Sequence, residues 1–354
     1  MQYNINYNRI LARESFWEGN APFSDIVFST GIRLIRNIYG IPFSHRQDEY
    51  NVRLLKSIAE KFVTKSKYSD LKLLDLNAIG SDEKRFLREG NLITENIEAG
   101  NNSFIILGEN NDFSILINDE DHFIIQVMKP GLGISKAYNI ADSVDDEFNK
   151  FAVYAYSEET GFVTSNPSTG GLKVTVIFHL PALYITKKIT DVFEIVKLSR
   201  LNIEGLKDEG LKTFGSIFIL SSSMSAGIPE TSVLNEIEKF SDKIISLETE
   251  AREDYVAGHK VRLEDKIGRS YGVLKYARKI GYAESMDYLS DIRLGIILSI
   301  IKNLKLQSVN KLMINMQWSH LQRIAGKEFY DTVEGDIFRA KYLRDQFEWS
   351  TING

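Results

Sequence analysis

Six short apolar runs punctuate the first two thirds of the chain: Ser103–Leu107 (SFIIL), Phe113–Ile117, Phe123–Met128, Phe151–Tyr156, Val174–His179 and Gly215–Leu220. Each is bounded by Gly, Asn, Asp or Pro and is rich in β-branched and aromatic residues, a pattern that predicts strands. Gly108–Asp112 (GENND) and Asn118–Asp121 (NDED) predict hairpin connections, so this part of the sheet is expected to be antiparallel. Ile134–Lys150 and Pro181–Arg200 predict helices; in the second, Ile189, Val192, Phe193 and Val196 make one apolar stripe. From Pro229 onward the pattern is helical: Pro229–Lys266, Ser270–Ile280, Glu284–Lys302, Asn315–Ile324 and Asp336–Phe347, with Gly258, Gly281 and Gly326 as ends or kinks. These patterns predict an α+β domain at 1–235 followed by an all-helical domain at 236–354.

Composition removes several function classes. The 354 residues suit two or three domains. Cysteine is absent, which excludes a disulfide scaffold, a thiolate zinc site, an iron–sulfur cluster and a cysteine nucleophile. The net charge is −5, with the acidic excess in the first 240 residues, so neither part carries a basic nucleic-acid footprint. The longest strongly apolar stretch, Leu294–Ile301, is far short of the roughly 20 residues of a membrane helix. Met1–Ile10 is polar, unlike a secretory leader, and a cytoplasmic protein is expected.

The common catalytic motifs are missing. His45, His122, His179, His259 and His320 are scattered without metal-ligand spacing, so no metal site is expected. There is no phosphate-binding GxxxxGK[ST], no GxGxxG beyond the isolated Gly131-Leu132-Gly133, and no GxSxG. Ser221–Ser223 reads as loop.

Four segments remain. Asp25–Phe43 (DIVFSTGIRLIRNIYGIPF) reads as a strand turning into a helix with two exposed arginines. Asn118–His122 (NDEDH) puts three carboxylates in a turn, which by itself is a solvated hairpin tip. Thr160–Leu183 (TGFVTSNPSTGGLKVTVIFHLPAL) is a loop of small residues entering a strand, and Glu204–Glu209 (EGLKDE) is a turn before one.

In this order the four segments resemble the ATP:guanidino phosphotransferase family, and within it the bacterial protein-arginine kinase branch. That branch reads roughly SSRIRLARN, NEEDHLR, GYLTxCPTNxGTGLRASVxxHLPAL and RGxxGE. Ser290–Gly295 (SDIRLG), His320–Gln322 (HLQ) and Gly335–Ala340 (GDIFRA, against RDxxRA) extend the resemblance from about residue 12 to 348. It implies a phosphagen-kinase-like fold, a large antiparallel sheet flanked by helices and then a helical domain. It also implies ATP with magnesium on the sheet, and a guanidinium aligned by two carboxylates for attack on the γ-phosphorus. By motif position those carboxylates are Glu120 and Glu209, which as turn residues could equally persist without a substrate. Ser29, Thr30, Arg33 and Lys173 fall at ATP-site positions, and Asp336 and Arg339 at phosphoarginine-site positions. The family further implies a protein substrate, a homodimer, and partnership with a zinc-binding activator protein or a Clp-type unfoldase.

The sequence departs from the family where phosphate would be held. Gly31, Ile124 and Glu204 occupy arginine positions, and Lys173 replaces an arginine while losing its bidentate fork. NPSTGG (Asn166–Gly171) is shorter than CPTNxGTG and has Asn166 at the cysteine position; Asn91 stands near the place of an adenine-side histidine; Gly335 replaces the first arginine of RDxxRA. The expectation is a degenerate member that works as a binding or regulatory module. The alternative is an active protein-arginine kinase with a rebuilt pocket, for which Arg33, Lys207 and Lys212 are candidate cations. A further expectation is that Asp336, Arg339, Arg344 and Arg293 serve an anionic or peptide partner.

Overall fold

The computed structural model describes residues 21–99, 102–108, 112–207 and 212–347. One sheet of eight strands organises the first two thirds of the chain: β1 (Val27–Arg36), β2 (Leu71–Asp75), β3 (Phe104–Gly108), β4 (Phe113–Ile117), β5 (Phe123–Pro130), β8 (Leu172–His179), β9 (Leu201–Lys207) and β10 (Thr213–Ser222). Its order is β2-β3-β4-β5-β1-β8-β10-β9, and every pairing is antiparallel. The run at 151–156 is not a strand of the large sheet: Tyr154 makes an isolated antiparallel bridge to Ile38, and Tyr156–Ser157 (β6) pairs with Gly161–Phe162 (β7) in a separate small ribbon. The connection at Asn118–Asp121 joins β4 to β5 as expected, with Asn118 in the left-handed region (φ 61°) that asparagine tolerates. Residues 109–111 of the other predicted hairpin connection lie outside the described residues.

β1 corrects the sequence reading of Asp25–Phe43. It is a ten-residue strand flanked on both sides, and its arginines are not exposed. A central strand covered on both faces loses the polar alternation that reveals strands in sequence. Ile32 and Leu34 face a core shared with α1 (Glu49–Lys65), α4 (Ile134–Phe148) and the first half of α7 (Glu230–Tyr276). Ile35 faces the opposite side, where α2 (Ser81–Glu89) and α3 (Glu95–Ala99) close a second apolar cluster. A register shift between Val27 and Ser29 turns Phe28 out of alternation and into a third cluster, made with the C-terminal helices.

The predicted helix at 181–200 is two pieces, α5 (Pro181–Ile185) and α6 (Ile189–Lys197), broken at Lys187 with φ 62°. The two predicted helices at 229–280 are instead the single α7, kinked at His259. Val233 to Ala251 pack on the sheet, while Tyr255 to Leu274 pack with α8 (Tyr282–Ile297), α9 (Leu306–Asn315), α10 (Trp318–Ala325) and α11 (Thr332–Phe347). No described helix is long and apolar enough to cross a membrane.

HLPAL and SDIRLG meet where β8 reaches α8. The fully buried His179 bonds through Nε2 to Ser290 Oγ (2.8 Å), and its Nδ1 accepts from Arg293 Nη1 (2.7 Å). Arg293 also donates to the carbonyls of Asp25 (2.8 Å) and Ser24 (2.6 Å) and to Asn310 Oδ1 (2.9 Å). Burial and the neighbouring Arg252 pull Arg293 down to about 9. Beside it, Glu248 accepts from the backbone N–H of Ala182 and Leu183 and pairs with Arg252. These motifs latch the sheet to the helices. Arg293 is therefore consumed internally and does not face a partner.

Candidate functional site

The sheet register fixes which side chains share the candidate site. Arg33 on β1 stands opposite Gln126 on β5 and Lys173 on β8. Because side chains alternate along strands, these three lie on one face, as does Gly31, opposite Met128 and Thr175. Thr30 points the other way and is spent on structure: its Oγ1 donates to Gly131 O (2.8 Å) and accepts from Gly133 N (3.1 Å). Ser29 is fully buried, and its hydroxyl has no partner.

The NDEDH turn brings carboxylates beside these cations and gives each a different task. Asp121 is buried and accepts from Asn37 Nδ2 (2.6 Å), Ser165 N (2.7 Å) and Ser165 Oγ (2.9 Å), which anchors the loop of small residues. Asp119 accepts from Thr94 Oγ1 (2.9 Å), while its buried Oδ1 has no partner; burial pushes its carboxyl up. Glu120 alone is exposed, with Oε1 accepting from Asn96 Nδ2 (2.8 Å). It lines a polar cleft of about 310 Å³ with Asp119, Ser44, His45 and Gln47. His122 is buried; its Nδ1 accepts from Ile38 N (2.9 Å), and its Nε2 bonds to Pro42 O (2.9 Å).

Among the described residues Arg33 and Lys173 make no hydrogen bond or ion pair. Their charges are nonetheless felt. Burial lowers Arg33, opposed by the field of Asp119. Burial and then Arg33 lower Lys173, opposed by Glu204 and Glu120. Two cations thus sit among three carboxylates. Gln126 Oε1 on the same face is buried without a partner.

Of the positions that depart from the family pattern, Gly31 and Ile124 are filled by packing, whereas Glu204 is not. A β-carbon on Gly31 would lie 2.6 Å from Met128 Sδ and 2.9 Å from Thr175 Oγ1. Ile124 is 6% exposed, inside the cluster of Ile35, Leu116, Phe86, Leu87 and Ile93. Glu204 is exposed on β9, the last strand of the sheet, and Lys207 is exposed on the same strand. Glu209 lies outside the described residues. Lys212 lines a different cavity, described below. Asn91 adopts φ 54° beside the sheet, its carbonyl accepting from Gln126 Nε2 (3.4 Å).

At the C-terminal positions, a β-carbon on Gly335 would meet the Trp318 ring at 2.5 Å. Arg339 is buried and donates to Asp336 Oδ1 (2.5 Å), Ile280 O (3.0 Å) and Met316 O (3.2 Å). Arg344 is committed to Ala277 O. Arg293 and Arg339 are thus tied into the fold, while Arg344 is half-buried. The sequence also hid a link between α2 and the C-terminal helices. Buried Glu89 of α2 accepts from the backbone N–H of Ser319 (3.0 Å) and His320 (3.2 Å) and bonds His320 Nδ1 (2.8 Å). Its only sequence signal is HLQ at the start of α10.

Comparison with known proteins agrees with this architecture. Residues 53–251 match the family profile of the ATP:guanido phosphotransferase C-terminal catalytic domain, and residues 260–353 that of the protein-arginine kinase McsB C-terminal domain. A protein-arginine kinase of Bacillus cereus is 34% identical over 334 residues, covering 93% of this chain and 94% of that protein. One of Brevibacillus brevis is 34% identical over 339 residues, covering 94% of each. Among solved structures, the duplicated taurocyamine kinase of Schistosoma mansoni with transition-state analogue components has a TM-score of 0.57 at 19% identity, covering 66% of this chain and 34% of that one. Lombricine kinase has a TM-score of 0.56 at 17% identity, covering 64% of this chain and 68% of that one. At those identities the structures speak for the fold alone.

Proposed function

The chain belongs to the protein-arginine kinase family of ATP:guanido phosphotransferases, and we propose that it has lost phosphoryl transfer and works as a binding or regulatory module for arginine-bearing protein segments. The observation that carries this reading is the filling of lost arginine positions by other side chains, Met128 over Gly31 and the apolar cluster around Ile124. Phosphoryl transfer is almost wholly positioning and electrostatic stabilisation. Removing one preorganised donor costs about 10²–10³ in rate, and donors that act as a unit do not multiply independently. Three positions are gone here, and Glu204 adds a repelling charge. Arg33 and Lys173, set among Asp119, Glu120 and Glu204, do not fit a magnesium-bound triphosphate.

A guanidinium is a different guest. The exposed Glu120 carboxylate in its polar cleft can accept the paired charge-assisted hydrogen bonds of an arginine side chain, and Glu209 is the second carboxylate of this proposal. Isothermal titration with an arginine-containing peptide and its citrulline counterpart tests it. Binding of the first alone, lost in Glu120→Gln, is expected; equal binding of both contradicts it. A homodimer, and a zinc-binding activator or Clp-type unfoldase as partner, belong to the same proposal and are tested by light scattering and co-purification.

One observation favours a second reading, an active kinase with a rebuilt pocket. Arg33 and Lys173 lack ion-pair partners, and Ser29 Oγ and Gln126 Oε1 are buried and unsatisfied, as polar groups awaiting a ligand would be. A thermal shift with Mg-ATP separates the two, since a ligand at 100 times its Kd adds about 2.7 kcal/mol. No shift is expected.

A further inference from the structure

A second, open cavity lies away from the carboxylate turn, bordered by α5, the start of α6, the start of β10, the distal half of α7, and α8. Its volume is about 1310 Å³, above the roughly 300–1,000 Å³ of ordinary small-molecule pockets. Tyr184, Ile189, Val273 and Tyr276 give it apolar and aromatic walls. Tyr276 is 70% exposed.

Lys187, Lys212, Lys266 and Arg269 line it together with Asp287 and Asp291. Both carboxylates are already engaged. Asp291 accepts from Lys266 and from Ser270 Oγ (2.6 Å), and Asp287 accepts from Gly215 N (2.6 Å). Lys187 has no ion-pair partner among the described residues, and Arg269 has only the exposed Asp265 one turn away. Gly272, near the C-terminal end of α7, leaves open space on this wall: a β-carbon there would meet nothing within 4 Å.

We propose that this cavity binds a small organic anion with an aromatic body, its ring against Tyr184, Val273 and Tyr276 and its charge towards Lys187 and Arg269. An apolar body with one anionic group matches walls of this kind, its charge meeting Lys187, whereas a neutral or cationic ligand leaves that lysine unanswered.

The test titrates the full-length chain with anilinonaphthalene sulfonate, an aromatic anion, and with phenyl-naphthylamine, its uncharged relative. Saturable single-site binding of the anion is expected, at least about tenfold tighter than the neutral dye. Gly272→Phe, which fills open space, abolishes it while keeping a cooperative melt. Lys187→Glu combined with Arg269→Glu, two exposed positions, weakens it about tenfold. Equal affinity for the two dyes, or undiminished anion binding by a natively melting Gly272→Phe, overturns the proposal. Should Gly272→Phe lose its cooperative melt, unchanged anion affinity in the charge-reversed pair overturns it alone.

Discussion

The Met128 sulfur lies 2.6 Å from the point that a β-carbon on residue 31 would occupy, so Gly31 and Met128 share one space on the sheet face. A side chain at 31 must displace the flexible, half-buried Met128 thioether and crowd Thr175 Oγ1. Gly31→Arg is therefore expected to destabilise the protein by about 1 kcal/mol in urea unfolding, the low end of the cost of overpacking. Adding Met128→Ala recovers part of that loss, and the double-mutant cycle gives a non-zero coupling. Additive effects would mean the two side chains do not compete.

Ile124 makes a stronger claim about the same face. Its side chain is packed among Phe86, Leu87, Ile93 and Leu116. Ile124→Arg forces a charge into this apolar cluster and is expected to cost about 3–5 kcal/mol. Guanidinium denaturation measures it. A tolerated arginine that brought nucleotide binding with it would show the pocket to be open.

Acid should weaken the fold through its histidines. Burial lowers His179 well below the ordinary value, with Arg293 and Arg252 adding to the shift, and burial also lowers His122. Each is neutral in the folded state and takes up its proton first in the unfolded one. Their stabilisation is thus fully present above an unfolded pKa of about 6.5 and is lost as pH falls below it, at up to about 1.4 kcal/mol per pH unit for each group. Urea midpoints at pH 7.5, 6.5 and 5.5 should be flat and then fall. A flat profile through the lowest of these would contradict the burial of both rings.

Much of this was legible in the sequence, and the failures have physical causes. The strand runs, the NDEDH turn and the helical C-terminal part follow from local pattern. HLPAL and SDIRLG were visible as motifs, but their work, a latch through His179, Ser290 and Arg293, depends on contacts more than 110 positions apart. Arg36 reads as exposed because charge usually is; here it is buried against Asp145 (2.6 Å), with the Phe162 ring 3.6 Å away. α1 carries Leu55, Ile58, Ala59 and Phe62 on one stripe behind an Asp48 cap, a signal that the local pattern does contain. Nothing local says that Met128 fills the space of residue 31, because only the β1–β5 register brings them together.

Glu89 ties α2, which covers the sheet face, to the start of α10. A carboxylate accepting several backbone N–H groups at a helix N-terminus is favoured by both hydrogen bonding and the helix dipole. Glu89→Ala removes these bonds and is expected to cost about 2–4 kcal/mol, since a hydrogen bond to a charged group contributes about 1.5–3 kcal/mol. Hydrogen exchange should show faster opening of both 81–89 and 318–325. Faster exchange in only one of them would mean that the two helices are not coupled.

The most direct measurement of the central claim is acid-labile phosphate on arginine, read by mass spectrometry after the purified chain is incubated with Mg-ATP and an arginine-rich protein substrate. Phosphoarginine no higher than in the enzyme-free control is predicted, together with an ATP Kd weaker than about 1 mM, or −4.1 kcal/mol. Robust phosphoarginine that disappears in Glu120→Ala would contradict the account.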